Sequence, residues 1–310
     1  VLSVSVIICA YSHERHAQLN RAIKSVLAQS HRAGELIVVV DHNLPLLNLV
    51  SLEFTQAKVI PNSGVQGLSG ARNTGIEHAS GDIIAFLDDD AIAEPDWLAA
   101  MVDQYENPSV IGTGGKVVPL WQVKKPRWFP EEFYWVLGCS YRGQPTHTAQ
   151  VRNPIGCNMS FRRSVFERVG GFREGIGRTR QDAAGCEETE LCIRARQAIS
   201  GAKILYDPSM VVYHQVTSER LRFDYFWRRC LAEGRSKMQV ANAVGVGDAL
   251  SSERAYVTIT LPLGVLRSLA EAFLRFDLWG LARAGSILAG LSFTTAGYVS
   301  ARLAQMARPA

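Results

Sequence analysis

Compact apolar runs alternate with segments of helical spacing through the first third of the chain. Val4–Ala10 and residues 35–41 and 83–87 are close to unbroken aliphatic runs, the pattern of strands buried on both faces of a parallel sheet. Between the first two, Leu19, Ile23, Val26 and Leu27 recur at helical spacing and predict a helix near 15–29. A short strand at 58–60 leads into the Gly-rich segment PNSGVQGLSG at 61–70, which opens a helix at 71–76. Strand, helix, strand is a right-handed parallel unit, and ligands bind beyond the carboxyl ends of such strands. Tyr11, Asp41 and Asp88 all stand at such ends.

The third of these runs meets three consecutive carboxylates, Asp88, Asp89 and Asp90. Adjacent acids repel one another, so a strand end that carries three calls for a cation. Alternate acids, Asp88 and Asp90, suit a hard divalent metal that also holds substrate phosphates. The plainer reading is a solvated acidic turn ahead of a helix with Pro95 at its first position. The Gly-rich loop is no P-loop, because no Gly-Lys-Ser/Thr follows, and alone it reads as a flexible turn.

Farther along, residues 110–112 and 114–118 are strand-like, and 121–135 is crowded with aromatic rings, read as the lid of a hydrophobic core rather than a sugar platform. Residues 165–172 predict a helix end with a glycine stop, and a polar, Gly-rich loop occupies 174–185. Glu187 and Glu188 follow, in a position that also suits ordinary acids at a helix start. Glu190 is expected to face solvent or brace the site. Residues 204–208 and 210–214 read as closing strands.

In order and spacing, VSVIICAY, the strand-end Asp41, GLSGARNTGIEHASGDIIAFLDDDA and GCEETEL resemble the family 2 glycosyltransferases of GT-A fold. The resemblance covers roughly residues 3–215, and ARNxGxxxAxGDxIxFLDxD is its most specific part. It implies an α/β GT-A architecture: a Rossmann-like, mostly parallel central sheet flanked by helices, with a C-terminal helical extension. It also implies a nucleotide-sugar pocket formed by Ala10, Tyr11, Asp41, Arg72, Asp88, Asp89, Gly156 and Asn158, with Asp41 on the uracil. Asp90, Asp88 and His214 would hold Mn²⁺ or Mg²⁺, and Glu188, with Glu187 as alternate, would deprotonate the acceptor hydroxyl. Ser12-His13 stand where many relatives carry Asn after the tyrosine. WFPEEF, YWVLGCSYRG and FWRRCLAEGRSK, together with the tail, are similar to glucosyl-dolichyl phosphate glucuronosyltransferase-like members.

At 310 residues the chain is long enough for a full core, and its net charge of +4 contains no compact basic block that would point to nucleic acid. Six scattered cysteines without a C-x-x-C pair fit reduced thiols in the cytosol, and Val4–Ala10 is too short for a secretory signal. Basic and aromatic residues interleave at 219–237, suiting an anionic acceptor or lipid headgroup. In 261–276, Arg267, Glu271 and Arg275 recur every four residues, and 284–301 carries no charge. As a helix that run would reach roughly 27 Å, barely a bilayer core. Three divisions are expected: a transferase domain at 1–215, a basic helical extension at 216–250, and membrane-associated amphipathic helices at 251–310. The alternative for the tail is packing on the catalytic domain or on a second copy. The expected activity is inverting, metal-dependent transfer of a sugar from a nucleotide-diphosphate donor, UDP foremost, to a hydroxyl of a lipid-linked or other anionic acceptor. It would take place at the cytoplasmic face of a membrane, with the protein peripheral or monotopic. A polyprenyl-phosphate acceptor, already an oxyanion, and a catalytically inactive nucleotide- or glycan-binding module are the competing readings.

Overall fold

A computed structural model describes residues 2–175, 185–250 and 252–307 and divides the chain into two compact units. The predicted loop at 174–185 lies almost entirely outside the described residues. The first unit comprises residues 1–118, 145–181 and 187–214. In chain order it contains β1 (Val4–Ala10), α1 (His16–Leu27), β2 (Glu35–Val40), α2 (Leu44–Glu53), β3 (Lys58–Pro61) and α3 (Leu68–His78). Next come β4 (Ile83–Asp88), β5 (Ala91–Ala93), α4 (Trp97–Gln104) and β6 (Val110–Trp121), whose last residues run into the second unit. β7 (Ala149–Gln150), β8 (Asn158–Arg162), α5 (Arg163–Val169), α6 (Glu187–Ala198) and β9 (Lys203–Val216) complete it.

The strands form one mixed sheet in the order β3-β2-β1-β4-β8-β6-β9-β5, with β7 on β9. β3, β2, β1 and β4 are parallel, in keeping with the near-continuous apolar runs of β1, β2 and β4. β8 turns antiparallel against β4 and β6. Alternation along β1 sorts the core into two layers. Val4, Val6, Ile8 and Ala10 pack with Leu19, Ile23, Leu46 and Trp97 on one face, whereas Ile7 joins Ala71, Phe86, Phe161 and Leu191 on the other.

Local expectations are corrected in three places. Residues 91–93 form a strand, and α4 begins at Trp97 with Pro95 outside it and not at its first position. The strand-like pieces at 110–118 and at 204–214 are each one continuous strand. α3 starts at Leu68, three residues early, because Gly67 (φ 130°) turns the chain and Gly70 lets the loop lie directly on the helix. A Cβ at Gly70 would come within 1.9 Å of the Val65 carbonyl oxygen.

The second unit, residues 119–144, 182–186 and 215–310, is helical. A 3₁₀ segment (Glu131–Leu137) precedes α7 (Phe223–Val244) and α8 (Val246–Ala249). α9 (Glu253–Ala255) continues through a π turn (Tyr256–Thr260) into α10 (Leu261–Leu274), and α11 (Trp279–Met306) closes the chain. Phe129 and Phe133 are fully buried against Phe226, with ring centroids 5.5 and 5.3 Å away, so these aromatics make a core as expected.

The uncharged run 284–301 lies within α11, which packs on α7 and α10. The inner side of α11 packs through small residues, while Leu288, Val299 and Leu303 are 46–60% exposed. Gly297 meets the Leu231 backbone and Gly290 the Phe133 ring so closely that a Cβ would come within 2.1 and 2.3 Å. In the basic segment Arg229 is buried beside Glu233 and Lys237 pairs with Glu233 and Glu253, whereas Arg228, paired with Asp224, and Arg235 are exposed.

Candidate active site

β1, β2 and β4 end side by side, because Ala10 pairs with Val40 and Cys9 with Asp88. The residues just beyond these ends line one edge of the parallel half. The Tyr11 ring is half exposed, with the Arg15 guanidinium 5.4 Å from its centroid. Asp41 is buried at the end of β2, where its carboxylate accepts hydrogen bonds from the Asn62 amide at 2.7 Å and the Gly67 N–H at 3.1 Å. His42 beside it adopts φ 49°, a strained conformation for a non-glycine residue.

The three acids diverge, because the chain turns into β5 immediately after them. Asp88 is partly exposed. Asp90 is buried and meets the His214 imidazole at 3.2 Å. β5 pairs antiparallel with β9 so that Ala91 lies opposite His214, and this register brings a residue 124 positions away to the acid cluster. Ligand atoms of Asp88, Asp90 and His214 all lie within 4.8 Å of one another. Two carboxylates and an imidazole form a donor set that fits a divalent ion such as Mn²⁺ or Mg²⁺.

Asp89 does not join this set. It is buried against Arg15 at 2.9 Å, and Arg15 also pairs with Asp90. Burial alone would lower the pKa of Arg15, but Asp89 and Asp90 more than reverse that and keep the guanidinium charged. The sequence reading missed Arg15; its one signal is a cation four residues past the strand-end tyrosine.

Arg72 on α3 connects the acid cluster to the acid pair. Its side chain is 2% exposed, with one nitrogen 2.8 Å from Glu187 and the other 3.4 Å from Asp88 and 3.2 Å from the Gly156 carbonyl. Phe172 and Phe86 hold it from the sides, with ring centroids 5.3 and 5.8 Å away. Burial opposes its charge, but Glu187 and Asp88 outweigh that and raise its pKa. Glu187 opens α6, and its second carboxylate oxygen is buried without a hydrogen-bond partner among the described residues. Glu188 is more accessible and stays close to the same spot, since a Cβ on Gly156 would lie 3.9 Å from its Oε2.

Asn158 is fully buried; it accepts from the Trp97 indole at 2.8 Å and donates to the carbonyls of Met210 and Lys116. These bonds tie its side chain to α4, β6 and β9. Glu190 is also fully buried, tied to Arg194 at 2.8 Å and Arg173 at 2.9 Å, so of its two expected places it takes the bracing one. Cys9, next to the cluster, is a neutral core thiol whose pKa burial pushes up to about 12.

Residues 5–170 match the family model Glycosyl transferase family 2. Over 240 residues the chain is 40% identical to the glucosyl-dolichyl phosphate glucuronosyltransferase of Haloferax volcanii, covering 76% of each chain. It is 23% identical to the succinoglycan biosynthesis protein ExoM of Rhizobium meliloti over 247 residues, 76% of this chain and 74% of that one. Among solved structures, mannosyltransferase PcManGT from Pyrobaculum calidifontis, in complex with GDP-Man and Mn²⁺, superposes with a TM-score of 0.59 at 16% identity. The match covers 94% of this chain and 87% of that one. The chain belongs to glycosyl transferase family 2 and is a glycosyltransferase of GT-A fold.

Proposed function

We propose that the protein is an inverting, divalent-metal-dependent transferase that moves a sugar from a UDP-linked donor to a hydroxyl of a lipid-linked acceptor. The observation that carries this reading is the Arg72 bridge: one buried guanidinium joins Asp88 of the metal-ligand set to Glu187 of the acid pair. In that arrangement a donor diphosphate is held beside Asp88, Asp90 and His214, with Asp41 and the Tyr11 ring at the strand ends receiving the base. A bound Mn²⁺ or Mg²⁺ would neutralise the charge that develops on the leaving diphosphate. Arg72 adds a fixed cation that cannot lose its proton. Glu188 takes the acceptor hydroxyl's proton as that oxygen attacks the anomeric carbon and the bond to the diphosphate oxygen breaks, a single displacement with inversion. Glu187, committed to Arg72, orients that cation and offers its second oxygen to a sugar hydroxyl.

The name of the Haloferax relative supports a lipid-linked acceptor, and six free cysteines support the reducing, cytoplasmic side of a membrane. Residues 1–215 would then carry the transfer chemistry, and the helices from 216 onward would serve the acceptor side. Incubating the protein with a panel of nucleotide sugars, Mn²⁺ or Mg²⁺ and polyprenyl-linked acceptors tests this reading. Transfer that needs metal and favours a UDP sugar is the expected result. Metal-independent transfer, or preference for a guanosine donor, would overturn the corresponding part. Full activity of Glu188→Gln toward a polyprenyl phosphate would instead favour an acceptor that needs no base.

A further inference from the structure

We propose that the outward face of residues 257–281 is a lipid-docking surface, on which the protein rests on an anionic membrane with α10 lying in the membrane plane. This deepens the lipid-acceptor reading and rests on it only for the purpose that docking serves.

Ile259, Leu263, Leu266 and Phe273 are 57–67% exposed and fall on one helical face. Leu274 borders that face at 79% exposure, and Phe276, just past the helix, is 87% exposed. The charged residues of the same helix point the other way: Arg267 pairs with Glu132, itself 1% exposed, and Glu271 pairs with Arg283 at 2.7 Å. A helix bordering water buries its apolar side and exposes its charges. This helix buries Leu261, Gly264, Ser268 and Ala272 and leaves its larger apolar side chains outside, and a continuous apolar face of that kind marks a non-aqueous neighbour.

The stretch Glu253–Leu274 is long and apolar enough to cross a membrane. Its inner face is tied down, however, which leaves only one side for lipid. The Tyr256 hydroxyl donates to the Glu132 carbonyl at 2.7 Å and accepts from the Trp135 indole at 3.0 Å, and Gly280 brings α11 directly against Ser268. Such a helix lies in the interface and does not span it.

Charge decides between lipid and a second copy. Arg254 and Arg275 are exposed at the two ends of the stretch, whereas Glu253, Glu271 and Asp277 are each tied to a basic residue. Two-fold antiparallel self-packing would bring Arg254 of one copy beside Arg275 of the other. Anionic headgroups complement both.

Flotation of the full chain with vesicles tests the proposal, comparing pure phosphatidylcholine with mixtures containing phosphatidylglycerol. The expected result is flotation with the anionic vesicles. A Leu266→Glu/Phe273→Glu variant should stay at the bottom while still binding UDP with metal. Arg254→Gln and Arg275→Gln should each weaken binding to anionic vesicles about fivefold. If the double variant loses UDP binding, Leu266→Ser, which alters no buried contact, should still float less than the unaltered chain; equal flotation would overturn the proposal. So would a full chain that ignores both vesicles, or light scattering that shows a dimer converted to monomer by Leu266→Glu/Phe273→Glu. Flotation without transfer to any lipid-linked acceptor would defeat the acceptor reading and leave the surface standing. Transfer to a detergent-dispersed acceptor without flotation would do the opposite.

Discussion

Asp90 directs one oxygen toward His214 and the other toward Arg15, so it is at once a candidate ligand and part of a buried ion pair. Replacing it with alanine should abolish the metal-dependent part of UDP affinity. Calorimetry that finds equal UDP affinity with and without a chelator in the unaltered protein would remove the metal from the mechanism. The two adjacent glutamates separate cleanly. Glu188→Gln keeps shape and donor binding, and losing a general base typically lowers the rate about 10²–10⁴-fold. Wild-type turnover with a saturating hydroxyl acceptor would rule Glu188 out. Glu187→Ala instead strips Arg72 of its nearest partner, and removing one member of a buried pair costs about 3 kcal/mol or more. A drop of several degrees in Tm should therefore accompany its loss of activity, whereas Glu188→Gln should melt near the wild-type temperature.

At the scale of elements, the parallel half could be read from the sequence because a strand buried on both faces must be apolar almost without interruption. That pattern located β1, β2 and β4, and with them Tyr11, Asp41 and Asp88. β5 escaped because three residues, Ala91-Ile92-Ala93, carry no periodicity, and its identity rests on a long-range pairing with β9. His214 was suggested only by family resemblance; its physical reason for reaching the acids is that pairing. The burial of Asn158 and Asp89 was hidden for a related reason, since a sequence position cannot reveal how deep a polar side chain lies. α10 illustrates the limit from the other side. Its two faces were legible as a charge stripe and an apolar stripe, but which one turns inward depends on Glu132, more than a hundred residues earlier. α7 carries a similar hidden dependence. Burial would raise the pKa of Glu233, yet Lys237 and Arg229 overcome this and hold it below its ordinary value. A lowered carboxylate pKa stabilises the fold above the unfolded value of 4.5, and the contribution is lost as pH falls through the folded one. Thermal melts between pH 7 and 3 should show stability falling at the acid end, and Glu233→Gln should flatten that fall. An unchanged slope would place the acid sensitivity elsewhere.

For the whole molecule, the packing of the last sixty residues changes what truncation should do. Composition alone suggests a detachable tail, whose removal near residue 250 would release a soluble, UDP-binding core. The contacts within the second unit oppose this. α11 lies against α7 so closely that a Cβ at Gly234 would sit 2.0 Å from the Thr294 carbonyl oxygen, and Gly290 lies on the Phe133 ring. Removing residues 251–310 would strip cover from that ring and from the α7 residues it shields, and burying a large apolar side chain is worth about 1.5–3 kcal/mol each. It would also take Arg267 from Glu132, leaving a carboxylate that is now 1% exposed without its cation. A chain ending at residue 250 should therefore aggregate, eluting in the void volume on size exclusion. The full-length Leu266→Glu/Phe273→Glu variant should elute as a compact species without detergent, because it alters only the outer face. If the truncated chain instead elutes as a monomer and melts cooperatively, α10 and α11 contribute no essential packing, and the second unit is held together by α7 and the aromatic segment alone.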